Sequence, residues 1–424
     1  MSPAVYDTLY KPDPAIVAAE LRQLTEALHA TIDKASKWLL RRFPPNGPIM
    51  TVQNLSYVYK TLWGLHTCGY RAESARLMDW VRDECLTSSG DMFFVGEPPA
   101  ERDGTRGYRQ MTVLRCAAES GHSLARDEMV IRRAYQYQSE RCGGVYAYIG
   151  DDPGQPVFPD DCNVGDTVFF GEVCLALKDR ERVLDVADWL LSVVEQNELA
   201  MQDGLFYWHT DDAGALITQT TESDRVERVL DRSVPNQFGW VLGAAMAFLA
   251  DVHHACLDWA LGDDVADRYL AAALQLLRFE SSWPLESYFF PSKCKVAWGA
   301  GRLLSILAMK DPLLYRDEID LAYRAGRRTY IYTFLGNRRP DGAWGEVFYP
   351  VDAAAAEMWF DYRVLEGRSA IDVVGRRANS TTSVALNDVE ITGEFLAELE
   401  HLRRGIWQLP TVVMQLSEAI NATA

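Results

Sequence analysis

The stretch FPDDCNVGDTVFFGE, residues 158–172, carries Asp160, Asp161, Asp166 and Glu172 into an apolar run. A carboxyl buried in a poor dielectric has a raised pKa and stays protonated, as a general acid requires. Asp166 is therefore the first candidate proton donor, with Asp161 as its rival and Glu172 as a neighbour able to shape its pKa. The same residues also read as a helix start. Asn163 would be the N-cap and Asp166 the acid in the first turn, favoured by side-chain bonds and the helix dipole. The two roles are compatible, and the sequence leaves both open.

A second acidic group lies in PDGAWGEVFYPVDAAAAEMWFDYR, where Glu346 and Asp352 precede Glu357 and Asp361. Glu357 and Asp361 are four apart and share one helix face, either solvated or turned toward the same substrate as Asp166. Candidate binding groups precede or begin apolar helical runs: Tyr57, Arg109, Asn163 and Asn236. Tyr57, Trp63, Phe169, Trp240, Trp298 and Trp344 supply aromatic faces for a flat or cationic ligand, or fill a core.

No other chemistry finds its motif. His253, His254 and Cys256 lie mid-helix without a second ligand pair, so no metal site is expected. WGAGRLL lacks the third glycine and preceding strand of a dinucleotide turn. No cofactor is expected. NDVEITGEF places Thr392 and Glu394 at the wrong offsets from Asn387 for a magnesium-diphosphate site. Of seven histidines, His29, His122 and His401 read as superficial, which weighs against paired histidine bases.

The elements that must hold these residues repeat along the chain. An apolar helix, a break, a one-sided helix and a Gly-aromatic closing recur, with Gly47, Gly90, Gly144, Gly204, Pro284 and Gly342 as markers. TVFFGEVCLAL, FGWVLGAAMAFLA and VAWGAGRLLSILA are apolar nearly all round, which implies burial on every side. DRERVLDVADWLLSVVEQ instead keeps Val183, Ala187, Leu190, Leu191 and Val194 on one stripe. Buried helices alternating with one-sided ones imply two concentric rings, an all-α (α/α)6 barrel of six helical hairpins with long rim loops at 87–106, 143–162 and 205–234. One domain over residues 1–424 is expected, with a leading helical segment at 1–45 and a closing helix at 395–424.

This layout resembles the six-hairpin toroids: terpenoid-cyclase and squalene-cyclase-like barrels, sugar 2-epimerases and several glycosidase families. PDGAWG is similar to the Gln-x-x-Asp-Gly-x-Trp repeat of squalene-type cyclases, with Arg338 in the place of Gln. Size and the lack of cofactor motifs also resemble fungal proteins that rearrange epoxides in quinolone-alkaloid pathways. Beside the Asp-x-Asp-Asp-Thr-Ala acid motif of class II terpenoid cyclases, Asp166 and Thr167 match. Gly165 stands where that family carries its protonating carboxylate, so the family's acid does not carry over.

A net charge of −18 and a pI near 4.9 disfavour nucleic acid and anionic membrane as partners. The eight cysteines are scattered, the N-terminus has no secretory pattern, and Phe238–Ala250 is too short to span a bilayer. A reduced, cytoplasmic protein with a small-molecule substrate is expected; a homodimer stays open. The function expected is an acid–base cyclase, isomerase or cationic rearrangement catalyst of secondary metabolism, acting on a hydrophobic or aromatic molecule. The alternatives are a glycoside hydrolase or sugar epimerase, and a non-catalytic helical scaffold.

Overall fold

The computed structural model describes residues 9, 13–43, 55, 58–93, 106–147, 149–150, 161–221, 228–234, 237–339, 341–344, 347–350, 383–386 and 388–423. Among the described residues, twelve helices of eight residues or more build two rings. The outer ring is α1 (Pro14–Leu40), α3 (Arg71–Glu84), α5 (Glu128–Tyr135), α7 (Arg180–Gln196), α9 (Asp263–Ser281) and α11 (Arg316–Arg328). The inner ring is α2 (Tyr59–Thr67), α4 (Arg106–Ser120), α6 (Val164–Leu177), α8 (Trp240–Asp258), α10 (Lys295–Lys310) and α12 (Asp388–Thr423). Each inner helix packs on the next, and α12 closes the circle against α2 while covering α1. The chain is an (α/α)6 toroid.

The burial pattern follows the composition of each helix. On α6 every residue from Val164 to Cys174 is buried, and on α8 every residue from Val241 to Ala250. α7 buries Val183, Ala187, Leu190 and Val194 while Asp185 and Asp188 stay exposed. Asp179 starts that outer helix by accepting from the Arg182 amide at 3.3 Å. Although α8 is long and apolar enough by composition to cross a membrane, 78% of its apolar window is buried inside the protein. It is longer than the Phe238–Ala250 run because polar residues continue the same helix.

The closings that mark the repeat are tight turns. Gly90, Gly143, Gly204 and Gly342 all have φ between 85° and 100°, a region that favours glycine. In CGGVYAY it is thus Gly143, not the expected marker Gly144, that makes the turn. Small antiparallel pairs flank the turns, including β2 (Leu205–Tyr207) with β4 (Val229–Asp231). Β-strand pairing also joins β1 (Asp161–Asn163) to β3 (His209–Asp211), and β5 (Val347–Pro350) to β6 (Ser383–Leu386).

Asp352, Glu357 and Asp361 lie outside the described residues, and the sixth inner position belongs to α12. α12 begins at Asp388, ahead of the expected 395, and its Gly393 lies against α2. A methyl there would stand 2.5 Å from the Thr61 backbone, so the two helices approach as closely as bare backbone allows.

Candidate active site at the start of α6

The polar residues of the opening stretch converge where β1 enters α6. Asn163 of β1 pairs opposite His209 of β3, and Asp161 opposite Asp211. Strand alternation therefore puts Asp161, Asn163 and His209 on one face, with Cys162 and Thr210 wholly buried on the other. Asn163 caps α6 in both directions. Its Oδ1 accepts from the Asp166 amide at 2.9 Å, and its Nδ2 donates to Asp166 Oδ2 at 2.8 Å. The other carboxylate oxygen, Oδ1, is buried without a hydrogen-bond partner. Burial lifts the Asp166 pKa to about 7, against the opposing pull of the Asn163 amide and the Tyr108 backbone N–H. Cap and buried acid are the same residue.

Across the ribbon, Asp161 Oδ2 holds His209 Nδ1 at 2.9 Å, with Arg228 at 3.4 Å. Burial pushes the Asp161 carboxyl up, but His209 and Arg228 outweigh it and hold the group below its usual range. His209 Nε2 is buried and has no hydrogen-bond partner. Its ring lies 4.3 Å from that of Trp208. A carboxylate that orients one imidazole nitrogen leaves the other free to move a proton. Asp166 and this dyad thus place a half-protonated carboxyl and an oriented imidazole on either side of Asn163. The sequence reading missed His209, whose signal, WHTD, depends on strand pairing to acquire meaning.

The aromatic wall is as crowded as its composition implied. Tyr108 packs on Phe169 at 4.3 Å and on Trp240 at 5.9 Å between ring centroids, and Trp208 reaches Trp240 at 6.2 Å. Trp63, Phe169 and Trp298 pack deeper in the ring at 5.3–5.9 Å. Trp240 covers Gly165, where a Cβ would come within 2.4 Å of the indole. The space that a side chain at position 165 would need is filled by a tryptophan ring.

A cationic guest for this cage already exists in the chain. Lys295 Nζ lies 5.1 Å from Trp240, 5.7 Å from Tyr108 and 5.9 Å from Trp63. It pairs with Glu394 and stands 3.5 Å from Glu398. Lys60 reaches Glu394 at 2.8 Å and Glu390 at 3.2 Å, and Tyr59 donates to Glu390 at 2.7 Å. Burial works to raise the Glu394 pKa, but the two lysines hold it at about 2. Glu398, buried near Glu394 and without a hydrogen bond to either oxygen, is lifted to about 8. Cys294, Glu394 and Glu398 each bring a ligand atom within 4.8 Å of the others. A metal ion there would have to displace the Lys295 ammonium, which already neutralises them.

Other candidates sit elsewhere. Glu172 lies deeper on α6, 3.2 Å from Arg115, and burial lifts its pKa to about 8 against that partner. Arg109 is buried in the first turn of α4. Trp344 donates to the Phe334 carbonyl at 2.8 Å and packs on Phe395 of α12, so it buttresses that helix from the turn. His401 is not superficial: it is buried with its ring 5.9 Å from that of Trp298. Tyr57, Asn236, Glu357 and Asp361 lie outside the described residues.

No protein-family model matches the chain, and no curated protein matches it. Solved structures do. A D-mannose isomerase is similar over 83% of this chain and 97% of its own, at 14% identity and a TM-score of 0.50. The type II terpene cyclase MstE from Scytonema, in complex with its substrate geranylgeranyl dihydroxybenzoate, is similar over 90% and 98%, at 15% identity and a TM-score of 0.46. A family 105 glycoside hydrolase from C. acetobutylicum covers 86% and 98%, at 14% identity and a TM-score of 0.47. The likeness is one of fold.

Proposed function

We propose that the protein is an acid–base enzyme, an isomerase or cyclase, acting on a compact uncharged molecule at the mouth of the toroid. The observation that carries this reading is the pairing of a buried, half-protonated Asp166 with the Asp161-oriented imidazole of His209. Asp166 donates its proton to the substrate, and His209 Nε2 takes one from it, so an isomerisation leaves the substrate's composition unchanged. The enzyme is left as carboxylate and imidazolium, and proton return through solvent at the mouth resets it. Trp240, Tyr108 and Trp208 offer a flat or developing-cation face. Lys295 and its glutamates fill the space below, which favours a compact substrate over a long polyene.

A sugar isomerisation is the second reading, since the same two groups would shift a proton between neighbouring carbons and Trp240 would stack on a ring. A panel of aromatic epoxides, short terpenoids and aldoses, incubated in deuterated water and followed by mass spectrometry, separates the two. Asp166→Asn and His209→Gln are each expected to slow the accepted substrate by about 10²–10⁴-fold. Wild-type rates in both variants would overturn the assignment.

A further inference from the structure

Behind the site, on the opposite face of β1, Cys162 Sγ lies 4.0 Å from Cys142 Sγ. The two thiols differ in access. Cys162 is wholly buried, whereas Cys142 is only partly covered and lines an open groove of about 1580 Å³ with Arg141, Arg182 and Asp212. We propose that Cys142 and Cys162 are a redox-active dithiol, closed to a disulfide by a peroxide that enters through this groove.

The local geometry suits each role. Cys142 sits in a turn whose Gly143 has φ 85°, and its amide donates to Ser139 Oγ at 3.4 Å. The Cys162 thiol, then the Gly144 amide and Ser139, favour the Cys142 thiolate and draw its pKa down to about 6 against burial. Thiolate character with exposure selects the cysteine that peroxide attacks, and a buried neighbour serves as the resolving thiol. The Cys142 thiolate attacks one peroxide oxygen, breaking the O–O bond to give a sulfenic acid and, after protonation, water. The Cys162 thiol then attacks the sulfenic sulfur. The S–O bond breaks, the Cys162 proton leaves with the hydroxide as a second water, and two electrons have passed from the thiols to the peroxide.

Closure needs the sulfurs to approach by about 2 Å, to a bond of about 2.05 Å. The movement falls on residues tied to the site. Cys162 lies between Asp161 and Asn163, and the Asn163 amide donates to the Val145 carbonyl at 3.2 Å. The Cys142 turn is bound to Asp212, the residue after β3, by Ser139 at 2.6 Å and Arg141 at 2.8 Å. Closing the bond therefore pulls on β1, which leads into α6 and Asp166, and on β3, which carries His209.

Hydrogen peroxide is the probe, added to the full chain, followed by denaturation, alkylation and peptide mapping. Free thiols are expected to fall from eight to six, with a single peptide pair linked through Cys142 and Cys162 and restored by dithiothreitol. Cys142→Ser is expected to keep its remaining seven thiols. Cys162→Ala, tested for folding by circular dichroism, is expected to trap Cys142 as sulfenic acid, detectable with dimedone. Eight surviving thiols, irreversible sulfinic acid at Cys142 in the wild type, or linkage of a different pair would each overturn the proposal. The thiol readout is independent of turnover, so it stands or falls apart from the acid–base reading. Ring resonances of His209 are expected to shift on oxidation, and unchanged resonances would refute the coupling to the site.

Discussion

Replacing Asp166 with asparagine tests the central electrostatic claim without any substrate. The side chain is buried, and its pKa is raised from 3.8 to about 7, chiefly by burial. A raised carboxyl pKa means that the folded state holds its proton more tightly than the unfolded chain. The stability this group contributes is fully present below the unfolded pKa and is lost as pH climbs through the folded one. Across the whole window, a shift of about three units corresponds to about 4 kcal/mol. Between about pH 5 and about pH 8 the part still to be lost is about 2.5 kcal/mol. Asparagine does not titrate and keeps an oxygen for the Asn163 amide, so it escapes this loss. Urea unfolding of both proteins at the two pH values should show the stability of Asp166→Asn, relative to wild type, rising by about 2.5 kcal/mol from acid to alkali. Parallel stability curves would refute the buried, proton-holding carboxyl, and with it the proposed acid.

Three further outcomes follow from packing and charge. Lys295→Met removes a buried cation from Glu394 and Glu398 and should cost about 3–5 kcal/mol in urea unfolding, with Glu394→Gln in the same chain recovering much of it. Gly165→Ala drives a methyl into the Trp240 indole and should cost about 1–3 kcal/mol, a penalty that disappears in a Trp240→Leu background by double-mutant cycle. Gly393→Ala separates α12 from α2 and should cost about 3 kcal/mol or more, seen as a lowered urea midpoint.

The toroid was legible because inner and outer helices solve different burial problems. α6 is apolar on all sides and α7 on one, and each lies where that difference puts it. A closing helix was expected at 395–424, but its inner place was not legible, because it carries charge inward. Glu390, Glu394 and Glu398 recur every fourth residue on one face of α12, a spacing visible in the sequence but ordinarily the mark of a solvated surface. Only Lys60 and Lys295, distant in sequence, turn that face into an interior one. In the candidate site, Asn163 and Asp166 are local and their capping bonds follow from spacing. His209 could not be placed that way, because its bond to Asp161 spans 48 positions and depends on strand register. Trp63, Phe169 and Trp240, expected to offer faces to a flat or cationic ligand or to fill a core, surround the Lys295 ammonium, a neighbour that no local spacing announces.

Ring closure by α12 against α1 and α2 also bears on how the protein comes to be made. Between the synthesis of Pro14 and Asp388, a ribosome working at about 5–20 residues per second needs on the order of 20–70 s. For that interval α1 and α2 lack the helix that covers them, and Lys60 waits without its carboxylates, joined by Lys295 only once α10 is made. The ring can therefore close only after α12 has been made, however early the other hairpins form.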